Sequence, residues 1–482
     1  MNISDFPEAP TFRQWRALVT VLVGTFMAIL DSTIVNVAIP SIKTGLNASP
    51  AAIEWVVAGY LLAFGLMLVP AGRLGDRIGY KPLFMSGVAL FTLSSAACGF
   101  ATNGRELVAA RVVQGLAAGL FGPSVQATIQ LLFRGRYRSR AFGILGTMVG
   151  LSSAVGPILG GVIIAVASSA DGWRWVFFVN VIIGTATLAA GGRLVPDLRP
   201  KVPHRLDPVG LGLITLGLLA VFFPLVEGQS VNWPIWTFVM LGSAIPIFAL
   251  LAFWERNLSR KGGEPILGPE LLGSAGFSGG TVIAMLYFAS FSSMFVVLSL
   301  FWQSGLGRSA LASGLMVTPF ALGNLTTGSM SHRASARFGK RVLVIGCALL
   351  AVSVAATAAI VDFSHGSISA WAIAIPLAAG GMGNGIFIAP NQDFILKRIP
   401  HHQAGTAGGV LQTSQRVGSA LGVAATATIF FAHAGNASAP AARATDFSSA
   451  TSLSLLANLA FLAAVALMVT FTRAETSTAI TA

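Results

Sequence analysis

The residues of greatest chemical interest are ionisable side chains that stand inside apolar stretches. Asp31 lies in FMAILDSTIVNVAIP, residues 26–40, and Arg111 lies in LVAARVVQGLAAGLFGP, residues 107–123. A carboxylate at the centre of a membrane helix costs about 2.5–3.5 kcal/mol on insertion scales, so Asp31 either faces a polar cavity or carries a proton. We expect Asp31 to take up and release protons. The alternative is a fixed, hydrogen-bonded acid that only orders the helices.

Further polar residues in apolar stretches are candidates for a polar site inside the membrane together with Asp31. A buried guanidinium stays charged and needs acceptors, so Arg111 could stabilise a deprotonated carboxylate or bind backbone carbonyls. Alternatively, its long side chain could reach the membrane interface. Asn36, Gln114 and Arg416 are candidates for lining a substrate cavity, and the interpretation of Arg416 has the same ambiguity.

Other acidic residues are expected at solvated helix ends. Asp393 has Lys397 four residues further on, which favours a local ion pair. Glu54 and Glu227 lie near the ends of apolar blocks, and their part in transport is left open. The sequence has no metal-ligand, nucleophilic-triad or phosphate-loop pattern. An enzyme, a metal centre and an organic cofactor are therefore not expected.

These residues are set in a strongly apolar chain. Of its 482 residues, 54% are hydrophobic and 10% are charged, whereas soluble proteins have about 25% charged residues. The sequence predicts an all-α polytopic membrane protein, whose first span is retained rather than cleaved as a signal peptide. The fourteen predicted spans are residues 17–39, 52–72, 82–101, 105–133, 140–167, 173–192, 207–226, 234–254, 277–302, 309–331, 341–361, 368–390, 404–431 and 450–472.

The basic residues predict the orientation of these spans. An even number of spans places 23 of the 30 Lys and Arg residues on one side and five on the other, with Arg111 and Arg416 inside spans. An excess of Lys and Arg marks the cytoplasmic face, so both termini are expected in the cytoplasm of a bacterial-type cell, with the spans in its inner membrane. The basic residues behind the net charge of +13 then indicate the orientation of the spans in the membrane and do not indicate nucleic-acid binding.

The order of the spans predicts two six-helix bundles and an insertion. The bundles are residues 1–192 and 277–482, and two extra helices lie in residues 193–276. A faint repeat relates GRLGDRIGYKPLF, residues 72–84, to HRASARFGKRVLV, residues 332–344. It aligns Gly79 with Gly339 and places Asp76 opposite Ala336. Transporters use such repeats to build a central site with alternating access.

The motifs resemble the major facilitator superfamily and, within it, the fourteen-helix drug:proton antiporters. LDSTIVNVAIP is similar to that group's signature in helix 1, GRLGDRIGYK to the superfamily's loop between helices 2 and 3, and RVVQG to its helix 4 motif. GPILGG, residues 156–161, is similar to the helix 5 element of antiporters. The resemblance implies that Asp31 takes part in proton coupling and that Arg111 assists it. It also implies a gating loop with Gly72, Asp76, Arg77, Gly79 and Lys81, in which Asp76, Arg77 and Lys81 form an inner charge latch, and a pliant helix 5 with Gly156, Pro157, Gly160 and Gly161. Because Ala336 stands where the repeated loop would need the acid, the two inner latches are expected to be unequal.

The combined prediction is a secondary active exporter that exchanges a small molecule for protons by alternating access. The substrate is expected to be hydrophobic or cationic, the energy source is the proton gradient, and no cofactor is expected. The protein is expected to be a monomer in the lipid bilayer, without a nucleic-acid partner. Two alternatives stay open, namely a proton-coupled symporter or importer on the same fold and a membrane sensor that does not transport.

Overall fold

The computed structural model describes residues 9–167, 171–197, 207–228, 231–263, 265–267, 274–328, 330–364, 368–396, 399, 403–434 and 440–471. Within these ranges the ordered elements are helices, and no β-strand is present. The first six long helices are α1 (Phe12–Gly45), α2 (Pro50–Ile78), α3 (Tyr80–Phe100), α4 (Gly104–Leu132), α5 (Gly135–Ala167) and α6 (Trp175–Leu194).

The second part of the chain contains more and shorter helices. Its first two are α7 (Pro208–Glu227) and α8 (Ile235–Arg260). A π-helical turn, Phe301–Gly305, continues the first of the remaining helices. These are α9 (Ala275–Leu300), α10 (Ala310–Met316), α11 (Thr318–Gly328), α12 (Ser331–Phe338), α13 (Arg341–Phe363), α14 (Ala374–Leu396), α15 (Ala404–His433) and α16 (Pro440–Phe471).

Local sequence explains where several helices begin. Thr11, Ser49, Asn103, Ser274 and Ser309 each stand immediately before a helix, and each side chain accepts a hydrogen bond from a backbone N–H of the first turn. The first N–H groups of a helix have no partner within the helix, so these side chains stabilise its start.

The two glycines aligned in the predicted repeat share an unusual backbone conformation. Gly79, between α2 and α3, has a φ of 94°, and Gly339, between α12 and α13, has a φ of 54°. Side chains disfavour this left-handed region, so glycine is needed at both turns. The two matching turns support an internal repeat.

Twelve helical segments of the described residues are long and apolar enough to cross a membrane. Two of the fourteen predicted spans are not among these twelve segments. Residues 309–331 are divided among α10, α11 and α12, each too short to span alone. Residues 404–431 lie in α15, whose 30 residues could span but include Gln412, Gln415 and Arg416. The helical membrane fold is confirmed, and the count of fourteen spans stays a prediction.

The helices pack in two groups that meet along a few seams. α1 to α6 contact one another, as do α9 to α16. The main contacts between the groups join α2 and α4 to α15, and α5 to α10, α11, α12 and α14. α7 packs against α8, α2 and α15, and the main contacts of α8 are with α7. The inserted pair therefore lies beside the α2–α15 seam, while the predicted domain boundaries stay predictions.

Candidate functional site

Asp31 lies at the centre of a buried polar cluster. Its Oδ2 is 2.5 Å from Nη1 of Arg111, and its Oδ1 accepts hydrogen bonds from Gln114 Nε2 at 3.0 Å and Asn180 Nδ2 at 2.7 Å. The Asp31 side chain is 0% exposed, and its three partners are also buried. Helices α4 and α6 thus supply three donors to one carboxylate of α1. Such charge-assisted hydrogen bonds offset the desolvation of a buried charge.

Arg111 is fixed by groups from several helices. Its Nε donates to the Val56 carbonyl at 2.9 Å, and its Nη1 also donates to Gln114 Oε1 at 2.8 Å. The guanidinium lies over the Tyr60 ring, 4.2 Å from the centroid, where a cation is attracted by the ring. Arg111 therefore contacts a carboxylate and a carbonyl rather than reaching the interface.

A second layer from α3 supports the cluster. Ser95 Oγ accepts a hydrogen bond from Asn180 Nδ2 at 3.4 Å, and Cys98 Sγ donates to Gln114 Oε1 at 3.5 Å. Gln114 was expected to line a substrate cavity, and the structure places it in the Asp31 cluster instead. The reason is that it lies three residues after Arg111, on the same face of α4.

A separate cavity of about 230 Å³ lies between the two helix groups. Its lining comes from α1, α2, α4 and α5 of the first group and from α9, α14 and α15 of the second. Its aromatic and long polar side chains are Phe64, Phe121, Phe288, Phe291, Gln126, Gln392, Gln412, Gln415 and Arg416. We refer to it as the central cavity.

Two cavity candidates from the sequence have different positions. Arg416 lines the central cavity, with its guanidinium 4.3 Å from the centroid of the Phe64 ring. Asn36 is exposed and does not line it. Asn36 lies one turn beyond Ser32, the cavity residue whose carbonyl accepts a hydrogen bond from Asn36 Nδ2 at 3.4 Å. That extra turn of α1 carries Asn36 past the end of the cavity.

Two rings of α2 lie between the Asp31 cluster and the central cavity. Tyr60 lies beneath Arg111, and its hydroxyl donates to the Ala28 carbonyl at 2.9 Å. Phe64, one turn further along α2, meets the Tyr60 ring edge-on with centroids 6.0 Å apart and lies beneath Arg416. The cluster and the cavity are therefore separate spaces joined by packed aromatic side chains.

A larger groove lies on the outside of the second helix group. Its volume is about 1650 Å³, and its lining includes Leu322, Trp371 and Ile375, which are exposed, as expected of side chains that face lipid. No residue of α1 to α8 lines it. It is therefore not the space between the two groups.

Asp76 joins the two helix groups at the start of α15. The buried carboxylate accepts hydrogen bonds from the backbone N–H groups of Gly405 at 3.1 Å and Thr406 at 2.9 Å, and also from the hydroxyls of Thr406 and Tyr80. A negative charge is stabilised at a helix N-terminus, where backbone donors are unpaired.

The other gating-loop residues surround this contact. Arg77 is exposed and Lys81 Nζ donates to the Gly192 carbonyl at 2.9 Å, so the described hydrogen bonds of Asp76 come from Tyr80 and α15 and not from these two basic neighbours. Gly72 lies against Gly405, and a Cβ on Gly72 would meet the Gly405 carbonyl. Glycine at this position therefore allows α2 and α15 to pack closely.

A second acidic contact joins the two groups through α5 and α14. Asp393 Oδ1 is 2.7 Å from Arg138 Nε, and Asp393 Oδ2 accepts a hydrogen bond from Ser139 Oγ at 2.7 Å. The expected pair with Lys397 is not the one observed, and Lys397 lies outside the described residues. The side chain of Asp393 points across the seam to α5, so the pair joins distant elements rather than one helix turn. The two acidic contacts share the face from which the basic loops emerge, which we call the basic face.

The glycines of α5 pack against α1 close to Asp31. A Cβ on Gly156 would meet the Thr33 side chain, and one on Gly160 would lie 3.0 Å from Ile34 Cγ1. Pro157 lies against Gly314 of α10, and Gly161 is half-buried. These contacts show close packing, while the flexibility implied by the resemblance stays a prediction.

The two remaining acidic candidates, Glu227 and Glu54, are not observed in the Asp31 cluster or in the lining of the central cavity. Glu227 is half-buried at the end of α7. The side chain of Glu54 lies outside the described residues.

Comparison with known proteins decides the family. The model for the Major Facilitator Superfamily matches residues 21–423. The chain belongs to this superfamily. It is a transporter of this superfamily.

Curated relatives of this superfamily place the chain in its drug-efflux group. A probable actinorhodin transporter of Streptomyces coelicolor is 34% identical, over 88% of this chain and 73% of its own. The tetracenomycin C resistance and export protein of Streptomyces glaucescens is 32% identical, over 88% and 77%. A methylenomycin A resistance protein of Bacillus subtilis is 31% identical, over 89% and 90%.

Solved structures of the superfamily share the fold. The human organic anion transporter MFSD10 covers 93% of this chain, and 99% of its own, with a TM-score of 0.63 at 14% identity. The proton:xylose symporter XylE covers 93%, and 96% of its own, with a TM-score of 0.62 at 15% identity. The chain is thus a multi-pass membrane protein with the superfamily's fold.

Sequence reasoning missed several residues of this superfamily member's site. Asn180 lies in the apolar run WVFFVNVII, residues 175–183, where an amide stands out in the same way as that of Asn36 in α1. The same criterion would have found it. Tyr60 and Phe64 gave no such signal, because aromatic residues are ordinary in membrane helices.

Proposed function

We propose that the protein is a secondary active exporter that exchanges a small molecule for protons by alternating access. The observation that carries this proposal is the Asp31–Arg111 pair, sealed inside α1 to α6 and next to the central cavity. On this proposal the Asp31–Arg111 pair only binds and releases a proton, and no covalent bond of the substrate is changed. The protein would therefore not act as an enzyme. The proton gradient is the energy source, and no cofactor is needed.

Protonation of Asp31 would change the forces on Arg111. The charged carboxylate accepts three hydrogen bonds, and a protonated one attracts the guanidinium far less. Arg111 would then rely on the Val56 carbonyl, Gln114 and the Tyr60 ring. Protonation of Asp31 would thereby change how strongly Arg111 interacts with α2 and α4.

Tyr60 and Phe64 would carry this change to the substrate. They stand between the two arginines, with Tyr60 beneath Arg111 and Phe64 beneath Arg416. A shift of the Arg111 guanidinium alters the packing of Tyr60 and hence the cavity wall. Coupling of two sites requires an element with two arrangements that both sites favour differently, and the start of α2 is our candidate.

Alternating access would require the basic face to open and close. In this structure Asp76 and Asp393 hold the two helix groups together there. We assign the basic face to the cytoplasm, with both termini on that side, and propose that the protein acts as a monomer. The aromatic lining of the central cavity favours a hydrophobic substrate.

Transport in vesicles tests this proposal. Purified protein in liposomes is given an inward- or outward-directed pH gradient, and uptake of a fluorescent aromatic compound is measured with and without a protonophore. An antiporter moves substrate against the proton flow, whereas a symporter moves it in the same direction. Binding without gradient-dependent flux would instead identify a sensor and refute the exporter.

A further inference from the structure

We propose that the central cavity selects aromatic substrates that carry an acidic group, and that Arg416 recognises this group. This inference rests on the exporter function proposed above and specifies its substrate class. The sequence predicted a hydrophobic or cationic substrate, and this inference keeps the hydrophobic part and replaces the cationic alternative with an anionic group.

The charge of the cavity supports this assignment. Arg416 is near the middle of α15 and lines the cavity, where its guanidinium lies over Phe64. Among the described residues it forms no ion pair, and no acidic side chain lines the cavity. A guanidinium matches the geometry of a carboxylate and repels a cation.

Unpaired amide atoms indicate that the ligand has further polar groups. Gln126 and Gln392 line the cavity and are only 3% and 5% exposed, yet Oε1 of each has no hydrogen-bond partner among the described residues. Nε2 of Gln412 also lacks one. Buried polar atoms are nearly always paired in folded proteins. Hydroxyl or carbonyl groups on a bound substrate would satisfy these amides.

The aromatic lining specifies the rest of the ligand. Phe64 and Phe121 belong to the first helix group, and Phe288 and Phe291 belong to the second. Flat conjugated molecules stack favourably against such rings. The cavity of about 230 Å³ lies just below the usual range of about 300–1,000 Å³ for ligand sites. In this arrangement it suits a small aromatic acid, and larger substrates require the groups to separate.

The direction of export agrees with this charge. With the basic face in the cytoplasm, an anionic substrate leaves a compartment that is electrically negative, so the membrane potential favours its exit. Proton entry is favoured by the same potential. Both halves of the exchange then run with the electrical gradient.

Equilibrium binding to the full-length protein in detergent, without any gradient, tests the inference. Three probes with the same rings are compared, namely naphthalene-2-carboxylate, naphthalene-2-carboxamide and trimethyl(naphthalen-2-ylmethyl)ammonium. The unaltered protein should bind the carboxylate most tightly. Arg416→Gln should weaken carboxylate binding by about ten- to hundredfold, the usual size of a charge-assisted contact, and carboxamide binding by less than about threefold. Arg416→Lys should recover part of the loss.

Controls separate this inference from the exporter function. Arg105→Gln makes the same change in net charge at an exposed arginine and should leave all three affinities unchanged. No carboxylate binding by the unaltered protein, tighter binding of the ammonium probe, or equal loss of both carboxylate and carboxamide in Arg416→Gln would overturn the inference. Carboxylate binding without gradient-driven flux would refute the exporter and leave the recognition by Arg416 intact.

Discussion

At the scale of single residues, Asp31 and Arg111 depend on each other inside a helix bundle. Removing one partner of a buried ion pair leaves an uncompensated charge, which destabilises proteins by about 3–5 kcal/mol. The pair also has two amide partners, Gln114 and Asn180. A loss of transport on mutation of Asp31 could therefore reflect lost coupling or lost stability, and the two must be measured separately.

A double variant separates these effects. Asp31→Asn should abolish proton-driven flux and lower the melting temperature, because Arg111 is left buried without its carboxylate. Asp31→Asn combined with Arg111→Gln should recover most of the melting temperature and still show no proton-driven flux. Flux in vesicles and thermal unfolding in detergent provide the two measurements.

The matched control is Asp362→Asn, which removes an exposed acid at the end of α13. It should leave both measurements unchanged. If the double variant regains proton-driven flux, Asp31 has only a structural role.

How far the sequence predicts this site depends on the type of residue. Asp31, Arg111 and Arg416 stand out because charge is costly in hydrocarbon. The pairing of Asp31 with Arg111 was one of the expected possibilities, whereas Gln114 and Asn36 were both expected in the cavity. Which face of a helix meets which neighbour depends on tertiary packing, and one sequence does not contain that information directly.

At the scale of helices, close crossings between α2 and α15 close the basic face. Gly72 and Gly405 lie against each other, and Gly409 packs against the Leu68 carbonyl. Small residues allow membrane helices to approach this closely. The contact between α2 and α15 thus depends on glycines at the crossing points as well as on the hydrogen bonds of Asp76.

Gly72→Ala tests this dependence. The added methyl group meets the Gly405 carbonyl, and such overpacking typically costs about 1–3 kcal/mol, so the closed arrangement should be less populated. Ala404→Cys, at a buried position, provides a thiol whose maleimide labelling should become faster in this variant. The native Cys98 and Cys347 are buried and give little background.

Gly242→Ala is the control, because a Cβ on this α8 glycine meets nothing within 4 Å. It should not change the labelling rate. Unchanged labelling in Gly72→Ala as well would show that the seam tolerates a side chain.

At the scale of the whole molecule, the two halves are similar in backbone and different in chemistry. Gly79 and Gly339, which the repeat in the sequence aligns, both have a positive φ. The acid of the first half, Asp76, has Ala336 as its aligned residue. In the second half the acid comes from α14, through Asp393 and Arg138. The sequence predicted unequal latches and could not reveal that a different helix supplies the second acid.

Exchange of the two charges tests this second contact. Arg138→Gln or Asp393→Asn alone should speed maleimide labelling of Ala404→Cys, because each breaks a partly buried pair that spans the halves. The swapped pair, Arg138→Asp with Asp393→Arg, should restore slow labelling. A double-mutant cycle should give a coupling of about 0.5–3 kcal/mol, typical of residues in contact.

Independent effects of the two single variants, with no recovery in the swapped pair, would contradict this assignment. Arg77→Gln is the matched control, since the Arg77 side chain is exposed on the same face and is not among the described partners of Asp76 or Asp393.

The different partners of the two acids make the closed face respond unevenly to salt. Asp76 is buried and held by N–H and hydroxyl groups, so dissolved ions barely weaken it. Asp393 and Arg138 each remain 14% exposed, and mobile ions screen such charges. Rising ionic strength therefore loosens the α5–α14 side more than the α2–α15 side, so the two sides of the closed face respond differently to the same solution.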